Sequence, residues 1–460
     1  MKYREIWRYL VERPLATVAV VALVPRLALA VALNRADVWR LAPDSYQYIA
    51  VAEAAAKGHL AEFWLGYGQS LFDSTRTFTL QIQLLFEVFG PVRLAAQLIS
   101  VGYGVLAAVL TTVLGRRLMS DRWALGAGLV VALLPSQIGF SSVAIRESVI
   151  WAMVASVVYL ALRFWNAGSG RTTVGWAVLM VVPLVLLFWL RDHSALLLLW
   201  CLLALVVESL AQIRRRVMVL FAIVLFVPAL FGMGLGGWEF AASSGGQLGT
   251  VRSSLGADAE SAISRPLVVG DDSLGFFSES QPVLVGDDAR GVLVDSSPQA
   301  PFSTLGLGAE YEPGWQEMGR GIDQKYVIAG DGRWIAVDDD LAATVSQFPT
   351  GLIAVAIRPF PWESGTGLSR TAAAMESPLW SCLFLLATVG VAARWRSDPG
   401  VRLLAAVVLI FTLAAAVTQG NLGTAFRHRG QILFALVLLA MQGAEILWVR
   451  WSSERVGSRR

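Results

Sequence analysis

Apolar residues run along this chain in long blocks separated by short polar connections. The blocks fall at 15–33, 93–114, 121–139, 147–165, 173–190, 194–212, 216–236, 377–393, 401–418 and 430–449. Most are long enough to cross a hydrocarbon core of about 30 Å as a helix. The pattern predicts an all-α polytopic membrane protein of about ten transmembrane helices. Two longer stretches interrupt it. Asn34 to Pro91 holds a moderately apolar piece, Phe78 to Gly90, too short to span and read as helix lying in the interface. Gly237 to Glu376 is rich in Gly, Ser and Asp. It carries two similar pieces, Pro266 to Asp272 and Pro282 to Asp288, that suggest paired strand-and-turn units. Its end, Phe348 to Trp362, is apolar but broken by prolines and is expected to return the chain to the bilayer as a surface helix.

The short connections fix an orientation. Gly115 to Arg122, Arg163 to Arg171, Gln212 to Arg216, Arg394 to Arg402 and the tail Arg450 to Arg460 are all basic. The positive-inside rule puts these on the cytoplasmic side, with both termini, and sends 34–91 and 237–376 outward. Three parts follow: a seven-helix module over 1–236 with its external loop 34–91, the extracytoplasmic region 237–376, and three C-terminal helices in 377–460. The basic N-terminus followed by an apolar run has the look of a signal peptide. Leu15 to Leu33 is long for one and contains Pro25-Arg26, so it is read as a retained first helix.

Composition agrees. Of 460 residues, 56% are hydrophobic and only 15% charged, and mean hydropathy is +0.60. Soluble domains carry about 25% charged residues. Many of the seventeen Trp lie near block ends, as in interfacial aromatic belts. A net charge of +3 gives no reason to invoke nucleic acid. Cys201 and Cys382 both lie inside apolar blocks, so a disulfide framework is not indicated, and no zinc spacing is present.

Chemistry concentrates in the external connections. They hold Leu41 to Ala50 with Asp44, Tyr46 and Tyr48; Pro135 to Ser148 with Arg146 and Glu147; Arg191-Asp192-His193; Arg358 to Glu363; and Asn421 to Arg429 with Arg427, His428 and Arg429. Arginine beside lipid is costly unless it snorkels or meets a wet cavity or an anion. Five such groups on one side point to a phosphate-bearing lipid, because guanidinium pairs with phosphate oxygens bidentately and stays charged. Asp44 is the candidate general base; the plainer alternative is a helix cap.

Several of these features, in this order, resemble the GT-C superfamily of membrane glycosyltransferases, which includes protein mannosyltransferases and bacterial lipid-sugar transferases. They are the first helix with an embedded Arg (Val24 to Leu27), the external Asp in the run Asp44-Ser-Tyr-Gln-Tyr-Ile-Ala50, interfacial helix ending in Phe89-Gly90, and a second helix ending in Gly115-Arg116-Arg117. The likeness covers roughly residues 1–235. It implies Asp44 as base, activating an acceptor hydroxyl to attack the anomeric carbon of a polyprenyl-phosphate sugar. Glu147 would occupy the second acidic position after helix three. Tyr46, Tyr48, Arg146, Arg191, His193, Arg358, Arg427, His428 and Arg429 would bind substrate. The acceptor would be a glycan, glycolipid or protein, and the site would face outward from the cell's plasma or inner membrane. No cofactor is required; a divalent metal at Asp44 and Glu147 is conceivable but not indicated. The chain departs from that family in two places: Ser45 follows Asp44 where a second acidic residue is common, and Arg76 to Thr79 stands where His-Pro-Pro is usual. The segment Asn421 to Arg429 is similar to one in membrane proteins of bacterial exopolysaccharide clusters. A polymerase or ligase using a lipid-diphosphate donor is therefore an alternative, as is a non-enzymatic lipid-linked sugar flippase or transporter.

Overall fold

The computed structural model describes residues 11–36, 43–61, 63, 67–208, 215–237, 348–349, 351–353, 355–362, 368–418 and 422–457, with short strands at 283–284, 293–294, 326–328 and 334–336. The described chain is mostly helical. In order the helices are α1 Pro14–Ala36, α2 Pro43–Ala56, α3 Tyr67–Ser74, α4 Arg76–Phe89, α5 Arg93–Leu118, α6 Asp121–Leu133, α7 Pro135–Ser141, α8 Glu147–Trp165, α9 Gly170–Phe188, α10 Asp192–Glu208, α11 Arg215–Phe226, α12 Leu368–Arg394, α13 Pro399–Thr418 and α14 Leu422–Gly457. Seven stretches, on α1, α5, α8, α9, α12, α13 and α14, are long and apolar enough to cross a membrane, which makes this a multi-pass membrane protein.

One of the ten expected spans is bent, and two are shorter among the described residues. The segment 121–139 is two helices, α6 and α7, bent by 56° where Leu134 meets Pro135. Proline has no N–H, so the carbonyl of Val131, which would receive it, is released and the helix breaks. Among the described residues, the apolar stretches Asp192–Leu203 and Val217–Phe231 are shorter than the spanning helices. Pro228 opens a single 3₁₀ turn that ends the second of them. The stretch 78–90 lies almost wholly in the helix α4, whose length of about 21 Å is too short to span.

The chain forms two compact units, Met1–Gly237 with Pro378–Phe411 and Arg427–Arg460, and Trp238–Ser377 with Thr412–Phe426. In the first unit the break between α6 and α7 is stabilised by Arg26, whose side chain is wholly buried in α1. Arg26 Nη1 donates to the carbonyls of Ala132 at 2.6 Å and Ala22 at 2.9 Å, and Nη2 donates to Val131 at 3.2 Å. A cation thus caps the end of α6 where the helix dipole is negative and its last carbonyls have lost their partners. The chain after α7 is tied down by three further bonds: Ser142 Oγ to the Arg26 carbonyl at 3.1 Å, Gln97 Nε2 to the Ser142 carbonyl at 3.0 Å, and Ser100 Oγ to the Ile145 carbonyl at 3.0 Å.

Also in this unit, α12 and α14 cross with backbones nearly touching at Gly390 and Gly443. A Cβ on Gly390 would run into the Leu439 carbonyl, and one on Gly443 into that of Leu386. Small residues permit such approaches between membrane helices. Gly390→Leu is expected to destabilise the protein by about 1–3 kcal/mol through overpacking, read as a lower unfolding midpoint in detergent. A midpoint equal to the parent would contradict the crossing.

In the second unit, residues 348–349, 351–353 and 355–357 are helical, and Val355 packs on Ala415. Two antiparallel strand pairs are present: Val283–Leu284 (β1) with Leu293–Val294 (β2), and Tyr326–Ile328 (β3) with Trp334–Ala336 (β4). The first takes in part of the second repeated piece; Pro266 to Asp272 lies outside the described residues.

Candidate functional site

Four elements of the first unit bring charged residues together: the start of α8, the turn between α9 and α10, the start of α14, and α2. Glu147 is the first residue of α8, and only 4% of it is exposed. Its Oε1 pairs with Arg191 Nη2 at 3.6 Å. Arg146, immediately before α8, donates from Nη1 to the carbonyl of Leu190 at 3.1 Å. Leu190 and Arg191 close the turn after α9, so the two arginines are held by one another's neighbours. Arg427 and His428 are half-buried on the first turns of α14.

These groups share one electrostatic environment. The charges acting on Arg191 are those of Arg146, Glu147, Tyr48 and Arg427; those acting on His428 are Arg191, Arg146, Arg427 and His193. Burial lowers the Arg191 guanidinium to about 10, and Arg146 and Arg427 push the same way against Glu147 and Tyr48. It remains charged at neutral pH. Three guanidiniums and one buried carboxylate leave the group net cationic, a setting that favours an oxyanion.

Packing explains why the elements meet here. Ser194 Oγ donates to Gln431 Oε1 at 3.0 Å, joining α10 to α14 in the interior. Gly430 lies flat against the indole of Trp151 on α8, where any side chain would collide. Trp151 in turn meets the edge of Phe140 at 6.4 Å. Tyr48 of α2 is buried and meets the edge of Phe78 on α4, ring centroids 5.6 Å apart. Thr77 Oγ1 donates to the Leu186 carbonyl at 2.6 Å, fastening α4 to the end of α9.

No family model, curated protein or solved structure matches this chain. The site therefore has to be read from its own atoms.

Of the residues expected from sequence, Tyr48, Arg146, Glu147, Arg191, Arg427 and His428 belong to this group, with His193 at its edge. His193 is largely exposed, and its Nδ1 is bonded to the carboxylate of Asp192. Arg429 is buried, its guanidinium 5.4 Å from the ring of Trp380. Tyr46 lines a small cleft with Leu33, Ser45, Ile49, Arg93, Gln97 and Val143. Arg358 belongs to the second unit, at the end of its helical stretch, and is half-buried. Asp44 is the second residue of α2; its side chain lies outside the described residues. Among the described residues no three His, Cys, Asp or Glu side chains gather as metal ligands. Sequence reasoning missed the Leu190 carbonyl, the Ser194–Gln431 bond and the Trp151–Gly430 contact. The one available signal was Gly430 directly after Arg-His-Arg, a small residue where a helix must approach another closely.

The group lies at one end of its helices. Further along α14, Glu445 Oε1 accepts from Ser120 Oγ at 2.5 Å, and Gln442 Nε2 donates to the Leu118 carbonyl at 3.2 Å. Leu118 and Ser120 belong to the basic connection 115–122. At about 1.5 Å per residue, Arg427 and Glu445 are roughly 27 Å apart on a single helix, close to the thickness of a hydrocarbon core. The cationic group and that basic connection are thus at opposite ends of a span.

Proposed function

We propose that the protein is an inverting membrane glycosyltransferase, moving a sugar from a polyprenyl-phosphate donor to a hydroxyl of an extracytoplasmic glycan, glycolipid or protein. In this reading Asp44 takes the proton of the acceptor hydroxyl, whose oxygen attacks the anomeric carbon. The bond to the phosphate oxygen breaks, and the lipid phosphate leaves with its charge met by arginines. The observation that carries the reading is the group Arg146, Arg191 and Arg427 around Glu147. Charge of that sign at a helix end is what a departing lipid phosphate requires. Its separation by a membrane thickness from the basic connection 115–122 supports an outward-facing site, given the positive-inside rule. The ten-helix topology with both termini inside belongs to the same proposal.

A second reading has its own support. His428 stands among the arginines, as a polymerase or ligase with a lipid-diphosphate donor would use it. The donor separates them. Purified full-length protein in proteoliposomes is expected to transfer radiolabelled sugar from a polyprenyl-phosphate carrier, giving product of inverted anomeric configuration. Turnover of the diphosphate-linked donor alone would replace the first reading with the second. Turnover of neither, with lipid-linked sugar crossing the bilayer unchanged, would make it a transporter.

A further inference from the structure

The resemblance assigned Glu147 to catalysis beside Asp44, but its surroundings fit a different task. A general base needs a lone pair within reach of a substrate hydroxyl. The Glu147 carboxylate is instead enclosed, with 6% of the side chain exposed, and turned to Arg191. What its ion pair leaves over is more telling. Arg191 uses Nη2 on Glu147, while its Nη1 is buried with no hydrogen-bond partner. Arg146 uses Nη1 on the Leu190 carbonyl, while its Nε is buried with no partner. In the same turn the hydroxyl of Ser148, wholly enclosed, is also without a partner. Buried donors on charged groups are costly to leave unmet, so several together call for an acceptor such as water, an ion or a ligand.

We infer that Glu147 is a positioning residue: with the Leu190 carbonyl it anchors one edge of each of two guanidiniums, so that Arg191 Nη1 and Arg146 Nε are held ready for the phosphate oxygens of a polyprenyl monophosphate. The inference rests on the reading of this group as a phosphate site and adds a role for its carboxylate. Fixing a guanidinium by one edge removes rotamer freedom before the ligand arrives, which is how preorganisation strengthens binding. An unanchored Arg191, repelled by Arg146 and Arg427, would turn away.

The test uses full-length protein in detergent micelles, with decaprenyl phosphate as probe and the ligand-induced rise in unfolding midpoint as readout. Glu147→Gln is expected to weaken decaprenyl phosphate binding about tenfold, with Glu147→Asp in between. Glu147→Gln combined with Arg191→Gln should bind no worse than Arg191→Gln alone, because both remove one device. In turnover, Glu147→Gln should raise the donor KM and leave the acid limb of the kcat–pH profile in place. Binding equal to the parent in Glu147→Gln overturns the inference, as does loss of that acid limb with binding intact. If Glu147→Gln does not fold, the Glu147→Asp variant decides: binding equal to the parent overturns the anchor. Inorganic phosphate serves as the second arm. Stabilisation by it and none by decaprenyl phosphate overturns the lipid assignment. No response of the parent protein to either probe refutes the phosphate-site reading itself.

Discussion

Asp44→Asn is expected to lower sugar transfer from a polyprenyl-phosphate donor at least about a hundredfold, the lower end of what a positioned general base contributes. Asparagine is the informative replacement. Asp44 is the second residue of α2, directly after Pro43, where a short polar side chain suits a helix start. Asparagine does that work as well as aspartate, so a purely structural Asp44 would tolerate the change. A base would not, because the amide cannot accept the hydroxyl proton. Insertion, the size-exclusion profile and the unfolding midpoint should match the parent, and Asp44→Ala should be equally inactive. Full activity in Asp44→Asn would remove Asp44 from the mechanism and favour an arginine- and histidine-driven polymerase.

The second large effect is on stability. Arg26→Leu keeps the apolar stem of the side chain and removes the charged cap from the broken end of α6. The carbonyls of Val131 and Ala132 then face the interior without their donors. Each buried acceptor left unmet costs about 1–3 kcal/mol. A total loss of roughly 2–6 kcal/mol follows, offset in part because leucine no longer has to bury a charge. The unfolding midpoint in detergent should drop, and Arg26→Lys should recover only part, since an ammonium cannot reach both carbonyls with fixed geometry. The effect should also extend to function. Ser142 bonds to the Arg26 carbonyl and leads directly to Arg146 and Glu147, so a displaced α6–α7 break moves the cationic group. An unchanged midpoint would show that the helix break does not depend on Arg26.

Much of the architecture was legible because its cause is local. The helices α1, α5, α8, α9, α12, α13 and α14 follow from apolar blocks that have no other way to satisfy their backbone in lipid. Arg146, Glu147, Arg191, Arg427 and His428 were legible as candidates because charge next to an apolar block needs an explanation. Other features depend on distant partners and left little trace. Pro135 was visible, but a proline in an apolar run only marks where a helix can bend; the break is stabilised by Arg26, more than a hundred positions earlier, supplying the donors. The same holds for Leu190, whose contribution is a backbone carbonyl and carries no residue preference at all. Glu147 was placed as a second acidic position by the family resemblance, whereas its partner Arg191 comes from the turn after α9 and emerges only once α8 and α9 are packed.

The continuous run of α14 has a mechanical meaning. Because Arg427, His428 and Glu445 are fixed to one unbroken helix, and Glu445 is anchored to the α5–α6 connection, the helix acts as a ruler laid across the bilayer. The height of the cationic group above the opposite interface is set by covalent geometry and not by the lipid. A thicker membrane cannot lengthen the ruler; it must thin around the protein or draw the group below the plane of its own headgroups. On the proposed reading, the depth at which a lipid phosphate would meet these arginines is therefore a property shared between chain and membrane.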